Sequence, residues 1–187
     1  LFADPTFMRA FPGGTGNVKV GANYGPTIQP SMMAQQKGYS QVLWLFGEEH
    51  RIEEVGTMNL FVYWTNEDGV EELVTAPLSN KTILPGVTRD SVIQICKEWN
   101  INVQEKSVNM REVKKAAAEG RIKEVFGAGT ACIVCPVSAI NYEEQDITIP
   151  TPEGLAMKLF NHITSIQRGE IPSEFCVRVS DVLKEQL

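Results

Sequence analysis

The chain has 187 residues, of which 43% are hydrophobic and 21% are charged, a composition that can bury the core of one globular domain. The net charge is -6 and no basic run is present, which argues against nucleic acid as a main partner. No apolar segment approaches the ~18 residues of a membrane span, and the four cysteines are too few for a disulfide scaffold, which favours a reducing, intracellular compartment.

Residues 13–25 form a glycine-rich segment, Gly-Gly-Thr-Gly-Asn-Val-Lys-Val-Gly-Ala-Asn-Tyr-Gly, in which Lys19 is the only charged residue. The two flanking valines predict a poorly hydrated amine, and a desolvated amine in a glycine cradle suits a Schiff base with a carbonyl compound. The spacing fits neither a Walker phosphate loop nor a complete dinucleotide-binding fingerprint. A flexible surface loop is the alternative interpretation.

The hydrophobic pattern predicts one α/β domain with a mostly β interior. Residues 26–38 are expected to form a short helix that Pro30 breaks or delays. Apolar runs predict buried strands at 41–46 and 58–64, and a turn signal at 66–69 pairs the second with 71–75 in a hairpin. The remaining predictions are a helix at 90–99, a strand at 101–106, a helix at 110–120, a glycine-rich turn at 124–131, strands at 132–137 and 147–149, and a last helix from Pro152 to about Gly169.

Two further segments contain residues whose role the hydrophobic pattern does not decide. Glu54 enters a buried strand, where a carboxylate is costly unless it meets a cation or a hydrogen-bond donor. It is either a solvated strand-end residue or the partner of a protonated ring nitrogen. Val87 and Thr88 follow Gly86 at a predicted helix start, where backbone N–H groups and a hydroxyl can hold a phosphate, unless Thr88 is an ordinary N-cap.

Cys132 and Cys135 form a CxxC motif just after a second glycine-rich segment, at 127–131, which is either a further source of N–H donors for an anion or a plain turn. Structural zinc needs four ligands, and the chain has two histidines and no second CxxC, so we predict no metal site. Buried, inert thiols are the default for such a strand, with a redox pair as the alternative.

An amine nucleophile, a carboxylate and two anion sites together fit pyridoxal 5'-phosphate, which needs a Schiff-base lysine, an acid at its ring nitrogen and an anchored phosphate. From about Asp4 to Gly169 the chain also resembles the branched-chain amino acid aminotransferases of pyridoxal-phosphate fold type IV, specifically their eukaryotic branch. The resemblance is carried by the 13–25 segment and by Gln-Val-Leu-Trp-Leu-Phe-Gly-Glu-Glu-His, Glu-Val-Gly-Thr-Met-Asn-Leu-Phe, Ile-Leu-Pro-Gly-Val-Thr-Arg and Phe-Gly-Ala-Gly-Thr-Ala-Cys-Ile-Val-Cys-Pro-Val.

The resemblance implies an α/β (α+β) fold with a mixed β-sheet pseudo-barrel surrounded by helices. Residues 1–187 would form the larger, C-terminal cofactor-binding domain, and the smaller N-terminal domain would be absent. The first residue, Leu1, agrees with a fragment of a longer protein. The resemblance also implies a homodimer for the full-length enzyme, a cytoplasmic or mitochondrial location, and weak cofactor binding with poor activity for this chain alone.

The resemblance assigns the cofactor site position by position. Lys19 matches the lysine that forms the internal aldimine and then moves the proton. Tyr24 matches the tyrosine bonded to the cofactor's phenolic oxygen, and Glu54 matches the acid at the pyridine nitrogen. Arg9 matches an arginine near the cofactor. The matches to phosphate ligands are Val87, Thr88 and Thr130. Ala22 departs from the glycine that is usual at its position, which implies slightly different packing near the cofactor.

The same resemblance assigns the substrate and the reaction. The groups that receive the substrate carboxylate match Thr57 and the backbone of Thr130 and Ala131, and Cys132 with Cys135 matches the redox-sensitive pair of the animal enzymes. The implied reaction is ping-pong transamination from leucine, isoleucine or valine to 2-oxoglutarate. The alternatives are another fold type IV enzyme, such as a D-amino acid aminotransferase or aminodeoxychorismate lyase, and a non-catalytic redox or partner-binding domain that uses the two cysteines.

Overall fold

The computed structural model describes residues 1–151, 153–177 and 179–184. The strands are β1 Phe2–Ala3, β2 Leu43–Phe46, β3 Arg51–Val55, β4 Met58–Thr65, β5 Glu71–Thr75, β6 Val103–Glu105, β7 Ile122–Gly129, β8 Ile133–Pro136, β9 Ala139–Tyr142 and β10 Gln145–Thr148. The helices are α1 Ile28–Gln36, α2 Val87–Glu98, α3 Met110–Ala118, α4 Leu155–Gln167 and α5 Val179–Lys184, with short 3-10 turns at Gly21–Asn23, Gly25–Thr27 and Leu78–Asn80.

The strands form two sheets. The larger one has the order β2-β3-β4-β5-β6, and β4 also pairs with β7, which in turn pairs with β8. Phe61 pairs with Thr75 of β5 and with Phe126 of β7, so β4 is the central strand. The smaller sheet has the order β1-β9-β10. Since β5–β6 and β1–β9 are parallel and the other pairs antiparallel, the predicted mixed α+β architecture is confirmed.

Strand β4 has a hydrophobic cluster on each of its faces. Leu60 and Val62 belong to a cluster that includes residues of α3 and the smaller sheet. Phe61 belongs to a second cluster with residues of α2 and α4. Successive side chains of a strand point to opposite faces, so a strand that is covered on both sides must be apolar throughout. This explains the continuous apolar run that predicted the strand.

Strand β3 carries a β-bulge opposite Trp44, because Trp44 pairs with Glu54 and the next pair skips Glu53. The bulge lets two consecutive carboxylates reach the same segment, residues 82–84. Glu53 accepts a hydrogen bond from the hydroxyl of Thr82, and Glu54 Oε1 accepts one from the backbone N–H of Leu84 at 2.7 Å. In a regular strand the two side chains would point to opposite faces.

Most predicted elements are confirmed with small shifts of their ends: the strand at 41–46 is β2, the predicted hairpin is β4–β5, and the helices at 90–99 and 110–120 are α2 and α3. The glycine-rich turn at 124–131 is wrong, because β7 continues to Gly129. A Cβ on Gly127 would lie 3.0 Å from Met58 Sδ and Cε. Glycine at this position therefore allows close packing within the sheet instead of a turn.

Pro30 does not break or delay a helix. It is the third residue of α1, which runs from Ile28 to Gln36, and the N–H groups of the first helical turn have no partner within the helix in any case. The last predicted helix forms as α4, from Leu155 to Gln167. Its predicted first residue, Pro152, lies outside the described residues.

Candidate functional site

The glycine-rich segment 13–25 is held in shape by the buried side chain of Asn23. Its Nδ2 donates to the carbonyl oxygens of Thr15 and Val18, both at 2.7 Å. Its Oδ1 accepts from the hydroxyl of Thr15 at 2.7 Å. These three hydrogen bonds close a loop and hold the backbone of Val18, the residue before Lys19. They therefore fix the position of the Lys19 backbone.

Lys19 itself is exposed in this chain. The prediction that neighbouring valines exclude water from its amine is wrong here, because Val18 is 49% exposed and Val20 is only partly buried. Met8 and Phe11, just before this segment in the chain, are also 52% and 59% exposed. The side of the molecule that carries Lys19 therefore presents apolar groups to solvent.

A buried ion pair lies behind this loop. Arg9 Nε is 2.8 Å from Glu54 Oε2, and both side chains are 2% exposed. The alternative that Glu54 is a solvated strand-end residue is therefore wrong. Burial raises the pKa of Glu54 to about 7, although the guanidinium of Arg9 and the N–H of Leu84 both oppose the rise. Glu54 is consequently a carboxylate that can gain or lose its proton close to neutral pH.

Arg9 joins this carboxylate to two other segments. Its Nη1 donates to the carbonyl oxygen of Gly16 at 3.2 Å and to that of Thr82 at 3.0 Å. Its Cζ lies 5.9 Å from the centroid of the Tyr24 ring. Neither the buried Nη2 nor Nε has a hydrogen-bond partner of suitable geometry among the described atoms, so the contact of Nε with Glu54 is an ion pair. The structure thus brings together three of the predicted cofactor residues, Arg9, Tyr24 and Glu54.

The start of α2 is connected to the same cluster through Asn59. The Nδ2 of Asn59 donates to the carbonyl oxygen of Leu84 at 2.9 Å and lies 3.5 Å from Glu54 Oε1. A Cβ on Gly86 would lie 2.3 Å from Asn59 Oδ1, so Gly86 allows the loop before α2 to pack against this side chain.

Gly86 is also the N-cap of α2, so the alternative that Thr88 is the N-cap is wrong. Val87 is 82% exposed, and Thr88 is partly exposed. Among the described residues no side chain caps the first N–H groups of α2. A helix start with free N–H groups attracts anions, so the predicted phosphate ligands stand where a phosphate would be stabilised.

The predicted substrate ligands lie at one end of the large sheet. The register pairs Asn59 with Ala128, which sets the β3–β4 turn with Thr57 beside the turn of residues 130–132 between β7 and β8. Cys132 Sγ contacts Met58 Sδ at 3.0 Å across these turns. Thr57, Thr130 and Ala131 are exposed, so their polar groups are accessible to a ligand.

Both cysteines of the CxxC motif are free thiols, Cys132 partly buried and Cys135 exposed. Burial raises the pKa of Cys132, and the nearby Cys135 raises it further. A raised pKa lowers the thiolate fraction on which thiol reactivity depends. A redox role for this pair stays a prediction.

Three contributing residues were missed by sequence reasoning: Asn23, Glu53 and Asn59. Asn59 is a polar residue within an apolar strand, which is costly unless it is hydrogen-bonded, and that signal could have identified it. Glu53 carries the same signal as Glu54, a carboxylate in a buried strand, whereas Asn23 gives none, since an asparagine in a loop is ordinary in sequence.

The described part of the chain contains no group of three or more His, Cys, Asp or Glu side chains that could hold a metal ion. None of its helices has the length and apolar character that crossing a membrane requires.

The chain belongs to the class IV aminotransferases, whose family model matches residues 9–140. It is similar to the mitochondrial branched-chain-amino-acid aminotransferase of Mus musculus, with 50% identity over 183 residues that cover 96% of this chain and 46% of that protein. The chain therefore spans about half the length of the relatives it matches.

Two solved structures of similar fold agree with this assignment. The branched-chain amino acid aminotransferase from Escherichia coli superposes with a TM-score of 0.74 at 26% identity, over 94% of this chain and 54% of that one. The T.th. branched-chain amino acid aminotransferase complexed with N-(5'-phosphopyridoxyl)-L-glutamate gives a TM-score of 0.71 at 30% identity, over 91% of this chain and 53% of that one.

Proposed function

We propose that residues 1–187 form the C-terminal, cofactor-binding domain of a branched-chain amino acid aminotransferase whose N-terminal domain is absent from this chain. The observation that carries the proposal is the buried Glu54–Arg9 pair, with a distance of 2.8 Å between Nε and Oε2, in a member of the class IV aminotransferases. A buried carboxylate of this kind suits a cationic ring nitrogen. The names of the mouse and bacterial relatives support the choice of branched-chain amino acids.

Pyridoxal 5'-phosphate is the proposed cofactor. The Glu54 carboxylate fits its ring nitrogen. The N–H groups at the start of α2 and the Thr88 hydroxyl fit its phosphate. The accessible Lys19 amine fits its aldehyde. The phosphopyridoxyl compound bound by the T.th. relative supports this choice. When bound, the cofactor supplies the aldehyde and the electron-withdrawing ring on which amino-group transfer depends.

Each residue then has a defined task. The Lys19 amine would bond the aldehyde with loss of water and, when free, would carry a proton to and from the Cα of the amino acid. Glu54 would stabilise the proton at the ring nitrogen, and the Tyr24 hydroxyl would bind the ring's phenolic oxygen. The phosphate is held by Val87, Thr88 and Thr130. The substrate carboxylate is held by Thr57 and by the backbone of Thr130 and Ala131.

The proposed reaction takes the amino group from leucine, isoleucine or valine and gives it to 2-oxoglutarate in two half-reactions. The full-length protein is proposed to be a homodimer in the cytoplasm or the mitochondria. Because Lys19 is exposed here, we expect this chain alone to bind the cofactor weakly and to turn over poorly. Sedimentation and imaging of the full-length protein would test the assembly and the location.

Covalent trapping tests the role of Lys19 without any need for turnover. The chain is incubated with pyridoxal 5'-phosphate and reduced with borohydride, which converts an imine on an amine to a stable secondary amine. We expect peptide mapping to place the label on Lys19, and Lys19→Ala to lose it. The matched control is Lys97→Ala, at an exposed lysine in the last turn of α2, which should keep the label. Equal labelling of all lysines would reject the assignment.

A donor screen separates the proposed activity from its alternatives. With the N-terminal domain restored, the protein should accept leucine, isoleucine and valine and reject D-alanine and aminodeoxychorismate. A preference for either of the last two would identify another fold type IV enzyme. Absence of trapping in the unmodified chain, together with reversible oxidation of Cys132 and Cys135, would favour the non-catalytic domain.

A further inference from the structure

We propose that Arg9 is a positioning residue that fixes the Glu54 carboxylate and the Lys19 loop in one arrangement, an inference that rests on the function proposed above. Arg9 would not touch the reacting atoms. It would act through Glu54, whose charge it sets, and through the backbone of the loop, which it anchors.

The buried charges near Glu54 are of both signs. The charged groups that face Glu54 are Arg9, from the N-terminal segment, and Glu53, from β3. Glu53 is only 5% exposed and accepts a hydrogen bond from the hydroxyl of Thr82. Arg51 Nε lies 3.9 Å from Glu53 Oε1, and the Arg51 side chain is more exposed than that of Glu53. The remaining neighbours of Glu54, Asn59 and Leu84, contribute only neutral N–H groups.

Arg9 is therefore the single buried cation beside two buried carboxylates in this part of the described structure. Without it, the two negative charges would face each other at low exposure, and one would be neutralised by a proton. A protonated Glu54 cannot pair with a cationic ring nitrogen, since it offers a proton in place of a negative charge. The guanidinium opposes the rise in the pKa of Glu54 and so favours the charged form that the proposed reaction needs.

The shape of the guanidinium lets Arg9 contact three groups at once. Its Nε forms the ion pair with Glu54, while its Nη1 donates hydrogen bonds to the carbonyl oxygens of Gly16 and Thr82 at 3.2 and 3.0 Å. A Cβ on Gly16 would lie 2.7 Å from the Thr82 oxygen, so the loop is pressed against residue 82 at the place where Arg9 joins them. A lysine carries one ammonium on a flexible stem and cannot reproduce this fork.

The experiment uses the full 187-residue chain without cofactor, so its result does not depend on the proposed reaction. The pKa of Glu54 in the folded chain is about 7, above its ordinary value of 4.5. The stability that this carboxyl contributes is therefore present below about pH 4.5 and is lost as the pH rises through about 7. Arg9→Met should raise the pKa of Glu54 further and extend this loss above pH 7.

We expect the unfolding equilibrium constant of Arg9→Met, relative to the unmodified chain, to be about fivefold larger at about pH 8 than at about pH 5.5, which is the effect of one further pKa unit above about 7. The control is Arg89→Met. Arg89 is equally buried, but its partner Glu105 is 44% exposed, so its loss should cost the same at both pH values. An effect of Arg9→Met that is independent of pH would overturn the inference.

Two further variants complete the test. In a Glu54→Gln background the pH dependence of the Arg9→Met effect should fall to the smaller part that Glu53 contributes, because Arg9 also lowers the pKa of Glu53. This double variant should fold even if Arg9→Met alone does not. Arg9→Lys should keep the charge effect but increase hydrogen exchange in residues 13–20. Unchanged exchange there would refute the anchoring of the loop. Loss of borohydride trapping in the unmodified chain would instead refute the proposed function and leave these stability results standing.

Discussion

Helices α2 and α4 begin in nearly the same way but differ in what meets their first N–H groups. Each has a glycine as its N-cap, Gly86 and Gly154. A Cβ on either would lie 2.3 Å from a side-chain oxygen of a neighbouring strand, Asn59 Oδ1 or Glu124 Oε1. At α4 the Glu124 carboxylate accepts the N–H groups of Leu155 at 2.6 Å and Ala156 at 2.9 Å. At α2 no described side chain caps the helix.

The difference shows how one local arrangement serves stability in one place and binding in another. At α4 a carboxylate of the protein accepts the first N–H groups of the helix. At α2 the side chain beside Gly86 is the neutral amide of Asn59, and the acid of the first turn, Asp90, is exposed and accepts from Gln94. Helix α4, whose first N–H groups are capped by Glu124 of β7, packs against β7 and β8. Helix α2 is at the predicted phosphate site. Three substitutions test this contrast.

Glu124→Ala should have the largest effect on the folded state. It leaves two buried N–H groups without acceptors, each of which costs about 1–3 kcal/mol, so we expect a loss of about 3 kcal/mol in urea unfolding. The control is Glu153→Ala, at an exposed glutamate just before α4, with an expected change below about 0.5 kcal/mol. Equal effects of the two substitutions would show that Glu124 acts only as a remote charge on the helix.

Gly86→Ala should have an intermediate effect. The new methyl would lie 2.3 Å from Asn59 Oδ1, so Asn59 must move and its bond to the Leu84 carbonyl is strained, at a cost of about 1–3 kcal/mol. Unfolding curves of Gly86→Ala and of Gly86→Ala with Asn59→Ala measure it. The second substitution should recover part of the loss, and strictly additive losses would contradict this account of the glycine.

Thr88→Ala should have the smallest effect on stability, within about 0.5 kcal/mol, but should weaken anion binding. Inorganic phosphate is expected to raise the Tm of the unmodified chain, since a ligand of the native state stabilises it. Loss of one hydroxyl donor of about 1 kcal/mol should weaken phosphate about fivefold. Ser91→Ala, one turn further along α2 and bonded to the Val87 carbonyl, should leave phosphate binding unchanged. A phosphate effect that is unchanged in Thr88→Ala would place the anion elsewhere.

The elements of the fold were predictable wherever one physical signal dominated. The apolar runs of β2 and β4 and the turn at 66–69 fixed two strands and a hairpin. Local signals failed at Gly127 and Gly129, because the same residue type serves turns and close packing. What decides between these uses is Met58, about seventy residues away in the chain.

The candidate site was predicted as a set of residue types but not as an arrangement. Lys19, Glu54 and Thr88 were identified from their local chemistry and from the family resemblance. The contacts of Arg9 with Thr82 and Glu54 join residues far apart in sequence, and no spacing rule predicts them. The exposure of Lys19 depends on what covers the loop, which the residues beside it do not determine.

The bulge at Glu53 has a consequence for how this strand can change its length. Ile52 and Val55, on either side of the glutamate pair, belong to the same hydrophobic cluster, and Glu54 stays opposite Trp44. Glu53 is thus a surplus residue that leaves its neighbours on their original faces. Removing it would shorten β3 by one residue and keep Ile52, Glu54 and Val55 on their present faces, with loss of the carboxylate that accepts from Thr82. The strand can therefore gain or lose a residue here without a change of register, whereas elsewhere in the strand the same event would reverse its two faces.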